Sequence, residues 1–482
     1  MATFLWHDYE TFGTDARYDR PAQFAAIRTD LDLNVIGEPI VWYCHPPTDR
    51  LPHPKASLIT GLTPQMCLDR GVPECEFAER IHALMSEPDQ IVVGYNSLDF
   101  DDEVSRFLFW RNLLDPYRRE WANGNSRWDL LPVLQLAHAL RTGGVQWPAR
   151  EDGHTSFRLE DLAHANGLEH DAHDALSDVM ATIGLARLAR QAHPDLWAHA
   201  LGQRTKQTVR RQLDRALVDR APLLYINPFA GAARGFLSAM VPLAWHPTDA
   251  NCLVAWDLRT DPSELADRST DEIRTRLFTK SADLPEGVTR PGLVTIKVNR
   301  CPIILPLTGD ERWAAAQRWG MDPAAIERHR ARLPVGGGRL DERLRAIYAR
   351  RTDASDATAP DVDTTLYGTF VESADRRRLD VVRADPGRQA SGFDHPDLSD
   401  LVRRYRARHA PATLTAHDLS QWEQTRRRHI VDGTPATPSY SEYLATIDDL
   451  AAEHDDERSA AILHDLRDWG GELAASAAPA NA

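Results

Sequence analysis

The pentad Asp8-Tyr9-Glu10-Thr11-Phe12 follows directly on the apolar run Thr3-Phe4-Leu5-Trp6-His7. Side chains two apart on an extended strand leave the same face, so Asp8 and Glu10 would stand together at its end. Two carboxylates held that close repel each other unless a cation lies between them, and hard divalent cations prefer oxygen ligands. Such ions polarise a phosphodiester and lower the pKa of an attacking water. An Asp-x-Glu also arises by chance on the solvated surface of acidic proteins, so its company decides. Ile91 to Asn96 reads as a buried strand, and Phe100-Asp101-Asp102-Glu103 then opens a helical pattern carried by Val104, Phe107, Leu108 and Trp110. Further on, Gly167-Leu168-Glu169-His170-Asp171-Ala172-His173-Asp174-Ala175-Leu176-Ser177-Asp178 leads into an amphipathic helix with Val179, Ile183, Leu185 and Leu188. Acids at 8, 10, 101 and 178 and a histidine thus fall at the edges of strands and helices.

The elements that must hold these residues alternate between strand and helix up to about residue 195. Phe24 to Thr29 and Ile40 to Cys44 flank an Asn34-Val35-Ile36-Gly37 turn and form a hairpin, while Phe77 to Met85 reads as a helix before the Ile91 strand. This pattern predicts an α/β sheet of mixed strand direction. From Pro222 to Leu307 short β patterns prevail, at Leu223 to Ile226, Leu253 to Leu258 and Leu293 to Val298. The small, polar stretch Arg351 to Pro360 reads as a linker, and the patterns beyond it are helical to about Glu472, ahead of an Ala/Pro/Asn tail expected to fray. At 482 residues two or three domains are expected. The boundaries read as 1–195, 196–349, a linker at 350–362, and 363–482.

A net charge of −15 does not by itself exclude a polyanionic partner, because a local basic stripe suffices to bind one. Basic residues cluster at Arg204, Lys206, Arg210, Arg211 and Arg215, at Arg403, Arg404, Arg406 and Arg408, and at Arg426, Arg427 and Arg428. Each run is either a solvated helix face or part of a groove with salt-sensitive DNA binding. Aromatic and guanidinium groups interleave at Arg106, Trp110, Arg111, Tyr117, Trp121, Arg127-Trp128 and Phe157-Arg158, as single-strand binding requires. Phe107 and Trp110, at helical spacing, fit a core better. The five cysteines form no Cys-x-x-Cys pair and read as buried free thiols. No apolar run is long enough to span a bilayer and no signal-like segment opens the chain, so a cytoplasmic location is expected.

The order Asp-x-Glu, then Asp after a Gly-Tyr-Asn strand, then His-x-x-x-x-Asp resembles the DEDDh class of 3′ to 5′ exonucleases. The longer strings D-Y-E-T-F-G, R-P-A-Q-F-A-A-I-R-T-D, L-I-T-G-L-T-P-Q, N-S-R-W-D-L-L and A-H-D-A-L-S-D resemble the exodeoxyribonuclease I family within it, as do P-L-A-W-H-P, N-R-C-P and Y-R-A-R further along. The resemblance implies a ribonuclease H-like exonuclease domain, an SH3-like β-barrel and a C-terminal α-helical domain. It implies two Mg²⁺ ions, with Mn²⁺ as a substitute, held by Asp8, Glu10, Asp101 and Asp178, and His173 as general base. His170 is a nearby competitor, but only His173 has the five-residue offset to Asp178 that the pattern requires. Substrate contacts are implied at Glu10, Thr11, Phe12, Arg106, Tyr117, Trp121 and Arg158. The expected activity is processive hydrolysis of single-stranded DNA to 5′-mononucleotides by a monomer working in DNA repair and recombination. The implied protein partner is the acidic C-terminal tail of single-stranded DNA-binding protein, docked at Arg141 and Arg312. Two pocket positions depart from the pattern, with Glu311 where a second arginine is expected and Pro306 where a glutamine is. The rival readings are an RNA 3′ exonuclease of the same class and a non-catalytic single-strand-binding scaffold.

Overall fold

The computed structural model describes residues 2–170, 173–334, 337–349, 361–388 and 391–478. The expected linker falls almost wholly outside them. The chain divides into two compact units, one of Met1–Arg127, Glu169–Ile183 and Asp356–Ala482, the other of Trp128–Leu168 and Gly184–Ser355.

The first unit is organised by strands β1 (Thr3–Thr11), β2 (Pro21–Thr29), β3 (Val35–Tyr43), β4 (Gln90–Gly94) and β5 (Ser126–Asp129), in sheet order β3-β2-β1-β4-β5. The β1–β2 and β2–β3 pairs are antiparallel and β1–β4 is parallel. The central strand is covered on both faces, which is why Phe4, Leu5 and Trp6 are apolar in succession rather than alternating. Leu5 and Tyr9 face one side, packed with Phe24 and Val92 against Phe77 and Ile81 of helix Glu74–Met85 and against Val104 and Leu108 of α1 (Asp101–Arg111). Strand alternation sends Asp8 and Glu10 to the other face. The hairpin forms, but its turn lies at Asp30–Asn34 rather than at Asn34–Gly37. The Asp30 carboxylate accepts the backbone N–H groups of Asp32 and Asn34, each at 2.9 Å, and this local bonding closes the chain earlier. Gly37, at φ 74°, falls instead within β3 where the register with β2 breaks.

The C-terminal part of this unit is helical, at Ser373–Ala384, Leu398–His409, Ala416–Arg427, Tyr440–Glu453 and Glu457–Ala477. Leu379, Val382, Leu401 and Tyr405 pack with Phe107 and Trp110 of α1, and the Trp110 indole donates to the Val362 carbonyl at 2.9 Å. The two tryptophan-region residues singled out as core are therefore core. An ionic cluster is buried in the same unit. Asp363 takes Arg20 at 3.1 Å and also Arg408, while Asp361 takes Arg50 at 2.7 Å and also Arg404. Arg404 and Arg408, from the basic run of helix Leu398–His409, thus point inward to acids rather than outward to a polyanion.

In the second unit β6 (Leu223–Ile226), β7 (Leu237–Trp245), β8 (Cys252–Asp257), β9 (Leu293–Lys297) and β10 (Ile304–Pro306) form a fully antiparallel sheet in order β10-β6-β7-β8-β9. Helix Lys206–Asp219 lays Val209, Leu213 and Ala216 on it, against Leu223, Met240, Leu253 and Ile296. Its basic residues take the opposite stripe, where the Arg210 guanidinium lies 4.1 Å from the Trp245 ring centroid. All five cysteines are free thiols, and four are buried. Among the described residues no helix is long and apolar enough to cross a membrane.

Candidate active site

The parallel β1–β4 ladder ends at Trp6 opposite Val93, whereas the β1–β2 ladder runs on to Glu10 opposite Gln23. Asp8 and Glu10 therefore project where β1 has lost its neighbour on one side. The chain leaves β4 through Gly94, where a Cβ would lie 2.8 Å from the His7 carbonyl oxygen, so only glycine lets β4 come this close. Asp101 begins α1, and its Oδ1 accepts the Tyr9 backbone N–H at 3.1 Å, hanging this acid from the strand segment between Asp8 and Glu10. Asp102 turns away, to Arg119 and Arg127 at 2.8 Å each. Adjacent helical residues diverge by about 100°, which separates the two acids' roles.

Asp178 lies in the first turn of α2 (Ala175–Ala192). The start of that helix is fastened twice. Gln23 Oε1 accepts the Ala175 N–H at 3.3 Å, and Asp174 Oδ1 accepts the Ser177 N–H at 3.0 Å in an N-capping contact. As a result, carboxylate oxygens of Asp8, Glu10 and Asp178 all lie within 4.8 Å of one another. Asp101 is outside that trio, but after burial its charge is the strongest influence on Asp8.

The electrostatics follow from this crowding. Burial, then Asp101, Asp178, Glu10 and Asp174, holds the Asp8 carboxyl well above the usual carboxylate range. Burial and the charges of Asp178, Asp101 and Asp174 push Glu10 up to about 9, and burial raises Asp178 as well. Protons or cations must neutralise such a set, and an all-oxygen donor set at this spacing fits one hard divalent ion.

His173 is exposed and held at φ 66°, a left-handed conformation uncommon for a side chain of this size. It stands just ahead of α2, after Asp171 and Ala172, which lie outside the described residues. His170 is placed differently, with Nε2 2.5 Å from Asp178 Oδ1.

Not every residue read as a substrate contact is free to be one. Phe12, 2% exposed, is packed among Ala22, Leu62 and Cys67, and the Thr11 hydroxyl donates to the Gly13 carbonyl at 2.5 Å. Arg106 is buried, its Nε 2.8 Å from Glu120 and its Nη1 2.8 Å from Glu103 and 3.0 Å from the Tyr367 hydroxyl. Its guanidinium also lies 5.5 Å from the Tyr117 ring centroid, so it braces that ring from within. Trp121, at 69% exposure, is the open aromatic surface of this segment. In the second unit Arg158 projects into solvent beside Glu160, 3.0 Å away. Arg141 is paired with Asp195 at 2.8 Å and with Glu311, while Arg312 donates to the Pro306 carbonyl at 2.9 Å. The sequence reading passed over Asp174 and Gln23. An Asp immediately ahead of the apolar Ala175-Leu176 that opens α2 is an N-cap signal that could have singled out Asp174, whereas nothing marked a lone strand glutamine.

A mixed sheet that gathers three carboxylates at the open end of its central strand, with a fourth acid on the next helix and a histidine ahead of another, defines a ribonuclease H-like exonuclease of the DEDDh type. Family models agree along the chain: Exonuclease over residues 5–186, Exonuclease I SH3-like domain over 204–350 and Exonuclease I C-terminal domain over 360–473. The chain is 39% identical to exodeoxyribonuclease I of Escherichia coli and 37% identical to that of Haemophilus influenzae, in each case over 98% of both proteins. Among solved structures, the moderately thermophilic exonuclease I of Methylocaldum szegediense matches with a TM-score of 0.91 at 42% identity, over 98% of this chain and 100% of that one. A zinc-bound E. coli ExoI–ssDNA complex (0.88, 38%, 98% and 100%) and an ExoI/SSB-Ct complex (0.87, 37%, 98% and 99%) match over the same extent. The chain belongs to the exodeoxyribonuclease I family.

Proposed function

We propose that the protein is a divalent-metal-dependent 3′ to 5′ exodeoxyribonuclease that hydrolyses single-stranded DNA to 5′-mononucleotides. The observation that carries this reading is the convergence of Asp8, Glu10 and Asp178 oxygens within 4.8 Å, with Asp101 pressing on Asp8. The solved relatives bound to single-stranded DNA and to zinc support the substrate and the need for a metal.

Asp8, Glu10, Asp101 and Asp178 are the residues that would hold two Mg²⁺ ions, with Mn²⁺ as a substitute, and such ions supply charge neutralisation at the phosphate and a more acidic water. His173, exposed ahead of α2, would be the base that takes a proton from the attacking water. The water oxygen forms the new bond to phosphorus, the bond from phosphorus to the 3′ oxygen of the preceding nucleotide breaks, that oxygen takes up a proton from solvent, and a 5′-mononucleotide departs. Water is the nucleophile, so no side chain becomes covalently modified. Trp121, with Tyr117 braced by Arg106, offers flat faces for bases, and Arg158 a cation for the backbone. Thr11 and Phe12 act by shaping the end of β1.

The domain boundaries we assign are 1–195 for the exonuclease domain, 196–349 for the SH3-like domain, 350–362 for the linker, whose last two residues, Asp361 and Val362, are bonded into the first unit, and 363–482 for the helical domain. We assign a cytoplasmic, monomeric protein serving DNA repair and recombination. An SSB tail is the proposed protein partner, supported by the ExoI/SSB-Ct relative, with Arg141 and Arg312 as its contacts. End-labelled single-stranded DNA, RNA and duplex, each incubated with Mg²⁺ or EDTA, test the reading. Stepwise 3′ shortening of single-stranded DNA alone, abolished by EDTA, is expected. A preference for RNA, or metal-independent binding without cleavage, would overturn it.

A further inference from the structure

We propose that Gln23 is a positioning residue that sets the distance between the Asp8–Glu10 strand and the helix bearing Asp178, and so tunes how tightly the three acids hold a divalent ion. The inference rests on reading those acids as metal ligands. Gln23 occupies the middle of a cross-strand row, opposite Glu10 on β1 and opposite Tyr43 on β3. Directly opposed residues share a sheet face, with Cβ atoms about 5 Å apart, so Gln23 lies on the face of Asp8 and Glu10. It is 2% exposed and both ends of its amide are used. Oε1 accepts the N–H of Ala175, the first residue of α2, at 3.3 Å, and Nε2 donates to the Tyr43 hydroxyl at 3.2 Å.

The orientation is fixed by chemistry, because a flipped amide would set its NH₂ group against the Ala175 N–H. The Ala175 N–H is one of the donors that a helix start leaves unsatisfied, and a side chain from the sheet takes it up. Asp178 follows three residues later, in the same turn of helix. Gln23 therefore joins the two elements that bring metal-ligand oxygens from opposite ends of the first 180 residues, with both ends of its own amide committed to Ala175 and Tyr43. A ligand set is only as precise as the groups that hold it, and partners behind a metal site commonly change affinity without touching the ion.

The test compares wild type with Gln23→Met, which keeps the length of the side chain and removes both hydrogen bonds. Mn²⁺ binding to the DNA-free protein is followed by calorimetry, melting temperature is recorded alongside, and single-strand binding in EDTA is read by fluorescence anisotropy. Mn²⁺ affinity is expected to fall about tenfold, with single-strand binding unchanged and activity recovering as Mn²⁺ is raised. Titrations that superimpose on wild type would overturn the proposal, as would a loss of DNA binding in parallel with metal binding. Should Gln23→Met fail to fold, Tyr43→Phe removes only the group that orients the amide. A smaller shift in the same direction supports the proposal, and no shift overturns it. A wild-type chain that takes up no Mn²⁺ would remove the metal reading itself, which is a distinguishable failure.

Discussion

His170 Nε2 lies 2.5 Å from Asp178 Oδ1, while His173, three residues on, is exposed at φ 66°. Two histidines beside one acid can serve different steps. A partner that bonds to a ligating carboxylate orients it, whereas a base must reach the water. His173→Ala is expected to lower kcat by about 10²-fold or more at saturating metal, with the metal requirement little changed. His170→Ala is expected to do the reverse, raising the metal concentration for half-maximal rate while leaving kcat at saturation largely intact. Rates measured across an Mg²⁺ series for both variants separate the two. A His170→Ala enzyme dead at every metal concentration would exchange the roles.

Asp8→Asn, Glu10→Gln and Asp178→Asn each remove one ionisable carboxyl from the crowded trio. In the absence of metal each change takes away a carboxyl whose ionisation is opposed by burial and by neighbouring acids. The variants are therefore expected to melt at or above the wild-type temperature in EDTA, yet to lose at least about 10²-fold in rate with metal present. Thermal melts and single-turnover rates on the same preparations check this. A variant that is both less stable without metal and fully active with it would contradict the crowding.

The pH dependence has a definite sign. The Glu10 carboxyl is pushed up to about 9 from an ordinary 4.5, so between these values the folded chain holds a proton that the unfolded chain has lost. Stability of the metal-free protein must then fall as pH rises from about 4.5 towards 9, because the native state binds more protons than the unfolded one. A divalent ion takes the place of those protons, so its stabilising effect grows over the same interval. Melting temperatures with EDTA and with Mg²⁺ should diverge as pH is raised, and calorimetry at pH 7 should register proton release on metal binding.

The buried ionic cluster behaves oppositely. Asp363, held by Arg408, Arg404 and Arg20, and Asp49, held by Arg408 and Arg20, lie below the usual carboxylate range, and Glu74 is drawn down to about 2 by Arg111 and Arg20. Their stabilisation is present above the unfolded carboxylate range and is lost as pH falls through the depressed values. Asp363→Asn leaves buried guanidinium groups short of a counter-charge, for an expected loss of ~3–5 kcal/mol in chemical denaturation. Glu76→Gln, at the exposed Arg80–Glu76 pair, should cost less than about 1 kcal/mol.

The contrast shows what the chain's order of residues could and could not reveal. Asp8, Glu10 and Asp101 were legible because strand alternation and a helix start are local patterns, and resemblance supplied the link to Asp178. Arg404 and Arg408 could not be told from surface cations within the basic run because their partners, Asp49, Asp361 and Asp363, lie elsewhere in the chain. The burial of Arg106 and Phe12 was hidden for the same reason, since Tyr367 and Leu62 come from distant segments. Gly37 marks a turn by its type, but the side-chain bonding of Asp30 closes the hairpin earlier. Gln23 was invisible for want of any pattern: a strand amide gains its role from the helix that arrives about 150 residues later.

Arg141 supplies the last prediction. Its guanidinium is already shared between Asp195 and Glu311, two exposed carboxylates, and Glu311 stands where the family pattern expects an arginine. A carboxylate from within the chain competes with one from an acidic tail for the same planar donor, so docking must first break the internal pair. Glu311→Gln removes a competing charge and keeps the shape, and Glu311→Arg restores the expected cation. A fluorescent peptide ending in an acidic, apolar single-stranded DNA-binding protein tail should bind Glu311→Gln more tightly than wild type, by about three- to tenfold, since an exposed pair is worth about 1 kcal/mol. Glu311→Arg should bind tighter still, and the gain should shrink as salt is raised. Arg141→Ala should abolish binding in every background while leaving hydrolysis of short single strands unchanged. Equal affinities for wild type and Glu311→Gln would mean that Glu311 does not guard Arg141.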